Sequence, residues 1–332
     1  MTPAPNAAML VSDPSLREHQ GAGGARKVSR ANLGPGSTVA AADGTTLFVK
    51  DWQGDARNDR PVVFLASLGV PSDMWDYQML FLNLKGHRCV AYDRRGHGRS
   101  SVPAGGYDYD NLADDLHAVL EALDVRDAVL VGHSMASGEL VRYLTRHGSA
   151  RVRKLVFVAP YATPSSLKTA DNADGVTREE LDYFLNQVIL GDYQRWIEDN
   201  KAPFFVEDTP ATSRDWIIQM MLKTSLKATY ECTRAMGAAD FTAEMAHITL
   251  PALVIHGDRD ASAPLERGRR TAAALAKSEL RIYEGAPHGL FIIHRERLNA
   301  DLLDFIADLS MIRKCGSRFS EKIMLKQNAR AG

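Results

Sequence analysis

Six short, largely apolar runs recur along the middle of this chain: Val62–Ala66, Cys89–Tyr92, Ala128–Gly132, Leu155–Ala159, Leu253–His256 and Leu280–Tyr283. Turn residues bound each run, and apolar side chains follow one another instead of alternating with polar ones. Strands of that kind have both faces covered, as in a parallel sheet packed between helices. Amphipathic segments separate the runs. In one of them Leu112, Leu116, Val119, Leu120 and Leu123 fall three or four apart and form one apolar stripe on a helix. The alternation predicts an α/β fold, a mostly parallel sheet with helices on both faces. Ahead of it, Thr38–Ala41 and Thr45–Val49 flank Ala42-Asp43-Gly44, the signature of a hairpin.

The rhythm breaks once. Between Pro160 and Pro251 no strand-like run occurs, and the helical patterns Glu179–Ile189 and Trp216–Leu222 take over. This stretch carries Tyr183, Phe184, Tyr193, Trp196, Phe204, Phe205, Trp216 and Tyr230. A helical cap over residues 161–245 is expected, about half of its aromatics forming its own core and the rest an apolar inner wall. The α/β core then comprises 37–160 and 246–310, and 332 residues suit one domain with such an insertion. Residues 1–36 and 311–332 are expected as a flexible lead and a flexible tail.

Composition narrows the function. Forty basic residues against forty-one acidic ones leave a net charge of −1, which offers no electrostatic case for nucleic acid or a membrane surface. Cys89, Cys232 and Cys315 lie far apart with no CxxC pair, so neither a disulfide scaffold nor a zinc framework is expected. No stretch is long and apolar enough to span a bilayer. Asp13, Glu18 and His19 interrupt any secretory signal, and a cytoplasmic location is expected.

The chemistry concentrates in Ala128-Val-Leu-Val-Gly132-His133-Ser134-Met135-Ala136-Ser137-Gly138-Glu139-Leu140, a strand that turns at once into a helix. Where strand and helix nearly touch, small residues are needed two before and two after the turn serine. Gly132 and Ala136 stand there, a nucleophile elbow of the G-x-S-x-G type with alanine in the last place. The competing role for Ser134 is an ordinary helix N-cap. A serine hydroxyl needs a base to take its proton and a third group to orient that base. Two later loops supply them: Gly257-Asp258-Arg259-Asp260 after one strand, and Glu284-Gly285-Ala286-Pro287-His288-Gly289 after another. In a parallel sheet the carboxyl ends of these strands share one edge, so Ser134, an aspartate and His288 can converge. Asp260 is assigned as the acid with Asp258 as its rival. His133 and His256 are expected to pack at the elbow and strand end, while His97 and His294 show no partner pattern. Backbone N–H donors for a tetrahedral oxyanion are expected at Met135 and, in the turn Ser67-Leu68-Gly69, at Leu68.

From about Thr38 to Ile306 the chain resembles the α/β-hydrolases. The resemblance rests on Tyr92-Asp93-Arg94-Arg95-Gly96-His97-Gly98-Arg99-Ser100, Gly132-His133-Ser134-Met135-Ala136, His256-Gly257-Asp258-Arg259-Asp260 and Gly285-Ala286-Pro287-His288-Gly289-Leu290. Within that superfamily it is most similar to the cofactor-free haloperoxidase or perhydrolase-like esterases, notably in Asp240-Phe241-Thr242 and Leu298–Leu303. The resemblance implies a Ser134, Asp260, His288 triad. The Ser67-Leu68-Gly69 turn is closer to the enol-lactonases of aromatic degradation, since perhydrolase-like members tend to have an aromatic residue followed by proline there. A serine hydrolase of small to medium hydrophobic carboxylic esters or lactones is therefore expected, needing no metal and no organic cofactor. Haloperoxidase or perhydrolase activity, carbon–carbon bond hydrolysis and a ligand-binding receptor on the same fold are the alternatives. Gly96-His97-Gly98 lacks the third glycine and helix of a dinucleotide loop.

Overall fold

A computed structural model describes residues 37–55, 60–170, 172–207 and 209–307. The expected lead, 1–36, and tail, 311–332, lie outside them. Eight strands form one sheet: β1 (Ser37–Ala40), β2 (Thr46–Trp52), β3 (Val62–Leu65), β4 (Cys89–Tyr92), β5 (Ala128–His133), β6 (Val152–Val158), β7 (Ala252–Gly257) and β8 (Ser278–Tyr283). Their order is β1-β2-β4-β3-β5-β6-β7-β8. The hairpin β1–β2 is antiparallel and joins β4 antiparallel, while β3 to β8 run parallel to one another. The helices are α1 (Asp76–Leu84), α2 (Tyr109–Ala122), α3 (Ala136–His147), α4 (Arg178–Tyr183), α5 (Leu190–Phe204), α6 (Ala211–Lys223), α7 (Leu226–Gly237), α8 (Thr242–Met245), α9 (Leu265–Ala274), α10 (Leu290–Ile293) and α11 (Arg295–Ala307).

Because successive strand residues point to opposite faces, the continuous apolar runs feed two cores at once. Val63, Leu65, Leu130 and Leu155 pack with α2 and α3 on one face. Val62, Phe64, Val129 and Val156 pack with α1 and α11 on the other. β8 departs from the expectation of burial on both faces: only Tyr283 is fully buried. It is the edge strand, and its Ser278, Glu279 and Arg281 suit an incompletely covered position.

Residues 161–245 contain α4 to α8, with three isolated bridges as the extended pairing among the described residues. The pattern over 179–189 is not a single α-helix. α4, opened by a reciprocal Thr177–Glu180 cap, widens into a π-helical turn over Phe184–Ile189. The backbone then kinks at Asp192, whose Oδ1 accepts the Arg195 N–H and restarts the helix.

Parallel strands place their carboxyl ends on one rim. The loops after β3, β4, β5, β7 and β8 all open there.

Candidate active site

Ser134 lies in the left-handed region, with φ of +55°. A non-glycine residue there costs on the order of 1–3 kcal/mol and persists only where its surroundings hold it. Here its N–H donates to Val158 C=O at 3.0 Å, and its carbonyl accepts the Ser137 hydroxyl at 2.7 Å and the Tyr161 N–H at 3.3 Å. The crossing behind it is tight: a Cβ on Gly132 would stand 3.1 Å from the Ala136 carbonyl and from the Leu140 side chain. The alanine methyl at 136 is buried without exposure. α3 starts at Ala136 with Met135 in the cap position and no side-chain cap. Ser134 is therefore not an N-cap, and its side chain instead lines a cavity.

His288 lines the same cavity. Its Nδ1–H donates to Asp260 Oδ2 at 2.7 Å. The other oxygen, Oδ1, accepts the Ser262 and Ala263 N–H groups at 2.9 and 2.7 Å. Burial alone would raise the Asp260 pKa, but the charge of His288 and hydrogen bonds from His256 and His288 outweigh it and hold the carboxyl well below the usual range. Asp258 is occupied elsewhere: its Oδ1 accepts the Gly285 N–H at 2.7 Å and shapes the turn after β8. The geometry thus separates the two aspartates and pairs His288 with Asp260. His133 is packed beneath, donating from Nε2 to the His288 carbonyl at 3.0 Å. His256 Nε2–H donates to Ala263 C=O at 2.7 Å and lies 3.4 Å from Asp260 Oδ2. No hydrogen bond joins the Ser134 hydroxyl to His288 among the described residues; such contacts commonly tighten only with substrate bound.

Among the described residues the backbone N–H groups of Leu68 and Met135 donate to no protein acceptor. The backbone groups flanking Leu68 are engaged. Ser67 N–H meets the Met74 sulfur at 3.2 Å, Gly69 N–H donates to His97 Nε2 at 3.1 Å, and Gly69 C=O accepts the Thr224 hydroxyl at 2.7 Å. His97 is one of the two histidines, with His294, that show no partner pattern in the sequence. Its Nδ1–H donates to Arg95 C=O at 3.0 Å, leaving Nε2 as an acceptor. Burial, with Arg94 nearby, pushes its pKa down to about 3, so the neutral ring is the form present near neutrality. The available signal was a histidine between glycines at the end of a neighbouring parallel strand.

The cavity holds about 540 Å³. Of the aromatics in the helical insertion, Tyr161, Phe184, Tyr193, Trp196 and Phe204 line it, while Phe205 joins the core and Tyr183 is 66% exposed. Among the described residues Glu180 is the one acidic side chain in its wall. A second cavity of about 530 Å³, between α3 and α8, contains neither Ser134 nor His288. Among the described residues no cluster of His, Cys, Asp or Glu is arranged to hold a metal ion, and no helix is long and apolar enough to cross a membrane.

Residues 60–295 match the family model described as alpha/beta hydrolase fold. The chain is 40% identical over 276 residues to a non-heme chloroperoxidase of Streptomyces lividans, covering 81% of this chain and 99% of that one. It is 38% identical over 277 residues to a bifunctional esterase/perhydrolase of Acinetobacter calcoaceticus, covering 81% and 98%. Among solved structures, an esterase from Exiguobacterium antarcticum superposes with a TM-score of 0.78 at 28% identity, covering 82% of this chain and all of that one.

Proposed function

The chain belongs to the α/β-hydrolase family, and from that premise we propose that it is a serine hydrolase of small to medium hydrophobic carboxylic esters or lactones. The single observation that carries the reading is the junction of a left-handed Ser134 and an Asp260-bound His288 in the wall of one largely apolar cavity. The Ser134 hydroxyl attacks the acyl carbon as His288 Nε2 takes its proton. Asp260 holds the ring so that Nε2 is the free nitrogen, and it stabilises the imidazolium that forms. Leu68 and Met135 N–H groups receive the developing oxyanion. Collapse of the tetrahedral intermediate returns the proton to the leaving alcohol and leaves an acyl-enzyme. Water then adds to the acyl carbon as His288 takes its proton, and collapse breaks the bond to the Ser134 oxygen, which receives that proton from His288 as the carboxylic acid leaves.

A second reading, perhydrolysis with hydrogen peroxide in place of water on the acyl-enzyme, is favoured by the names of the relatives. Gly69 weighs against it as the main activity. Its φ of +78° is closed to proline, so the loop differs from the aromatic-proline turn of perhydrolase-like enzymes.

Ser134→Ala tests the reading. A fluorophosphonate is expected to label the wild-type protein at Ser134 alone, and the alanine variant should lose at least about 10⁴-fold in kcat on 4-nitrophenyl butyrate with its urea midpoint unchanged. Full esterase activity in the variant would overturn the assignment.

A further inference from the structure

The turn after β4, Asp93 to Ser100, contributes no side chain to the cavity wall. Its Arg94 is nonetheless buried to 3% exposure directly behind the oxyanion turn. Nη1 donates to Ser67 C=O at 3.0 Å, Nη2 donates to Ala66 C=O at 2.7 Å, and Nε donates to Glu139 Oε1 at 2.8 Å. Nη2 also contacts Glu139. Glu139 is fully buried in the first turn of α3, the helix that Met135 caps, and its Oε2 accepts the Tyr92 hydroxyl at 3.4 Å.

Two facts of backbone geometry give these contacts a consequence. The Ser67 carbonyl and the Leu68 N–H belong to one planar trans peptide, so they point in opposite directions. Holding that carbonyl from behind aims the N–H forward. The next peptide is held as well, because Gly69 N–H is bound to His97 Nε2, leaving the Leu68 N–H no freedom to swing. Through Glu139 the same guanidinium is tied to the helix whose cap carries the second free N–H.

We propose that Arg94 is a positioning residue that sets the direction of the Leu68 N–H and keeps it in focus with the Met135 N–H by strapping the turn after β3 to α3 through Glu139. This rests on the serine hydrolase reading given above. Lysine is no substitute, because one ammonium lacks the flat fork that reaches two carbonyls and a carboxylate together. The strap matters to the charged intermediate and little to the neutral ester, so its loss appears in kcat and not in KM.

Arg94→Lys, assayed on 4-nitrophenyl butyrate, is expected to lose about 10- to 100-fold in kcat with KM changed less than about threefold. Phenylboronate, whose tetrahedral adduct on Ser134 places an oxygen between the two donors, should lose affinity in parallel. A role confined to folding would lower the urea midpoint without moving boronate affinity in the folded protein. Wild-type kcat in Arg94→Lys, or a loss carried by KM with boronate affinity intact, overturns the proposal. Should that variant not fold, Arg94→Met with Glu139→Met removes both buried charges together, an exchange that cores often tolerate. The same loss in kcat and boronate affinity is expected of it, and wild-type values overturn the strap. A wild-type protein that a fluorophosphonate does not label at Ser134 overturns the hydrolase reading and this one with it. Labelling with an undisturbed Arg94→Lys overturns the strap alone.

Discussion

The sheet rim and the helical insertion build the two halves of one cavity by different means. On the rim, position is enforced by directional bonds. Both oxygens of Asp260 are engaged, and every polar backbone group next to Leu68 N–H on the Ser67 and Gly69 sides is held. On the insertion side the wall is made by rings packed on rings: Tyr193 stacks on Trp196 at 5.7 Å and Phe184 meets Trp196 edge-on at 5.4 Å. Polar ties also cross between the halves, among them the Arg267 guanidinium donating to Tyr161 C=O at 3.0 Å and the Thr271 hydroxyl donating to Thr163 C=O at 2.9 Å. Gly289 N–H donates to Phe204 C=O at 2.9 Å, the Thr224 hydroxyl donates to Gly69 C=O, and Ser225 N–H donates to Gly96 C=O at 3.1 Å. Hydrogen bonds fail with small errors in angle, whereas apolar contact scales with area and tolerates repacking. The rim therefore suits chemistry that demands one geometry, and the insertion suits a choice of substrate that different side chains can retune.

Asp260→Asn and Asp258→Asn, neighbours in one turn, give this contrast its largest test. Loss of the His288 partner should lower kcat about 10⁴-fold, as when a triad acid becomes an amide. Asp258→Asn, at the carboxylate that accepts the Gly285 N–H, should stay within about threefold. Equal losses would break the distinction between the turn's two carboxylates.

The rim should also reveal its buried neutral histidines on acidification. Burial pushes both His97 and His133 from 6.5 down to about 3, with Arg94 adding to the effect at one and His288 at the other. Below pH 6.5 the unfolded chain takes up protons that the folded chain refuses. Their stabilisation is complete above that pH and is lost progressively down to about pH 3. Urea titrations should show a fall of at most about 1.4 kcal/mol per pH unit for each of the two. His133→Asn should flatten that slope. A flat profile from pH 7 to 4 in the wild type would mean that the pair is not held neutral.

The smallest effect is expected on the insertion. Trp196→Ala should raise KM for bulky aryl esters about tenfold while changing kcat less than about threefold, because it removes ring contact and leaves the rim bonded. A kcat loss as large as that of Asp260→Asn would show that the two halves are not separable.

The parts legible in the sequence are those whose cause is local. Gly132-His133-Ser134-Met135-Ala136 carries its meaning in five consecutive residues between a buried run and a helix, and Ser134 lies where that pattern puts it. His288 stands at a strand end in the same sense. Asp258 and Asp260 could not be ranked by pattern with certainty, since either lies within a side chain's reach of the rim. The hydrogen bonds to Gly285 and to His288 divide them. His97 had no visible partner because its partner is a backbone N–H, which no residue type advertises.

Sequence alone determined the architecture: apolar runs buried on two faces admit little but a parallel sheet between helices, and parallel strands deliver their loops to a common edge. It also determined the residue types available there. Which aspartate meets the imidazole, which aromatics face the cavity and which guanidinium stands behind the turn after β3 were decided only by tertiary structure. Those outcomes depend on angles and separations between segments far apart in the chain, and such distances come into being only when the whole sheet closes its register.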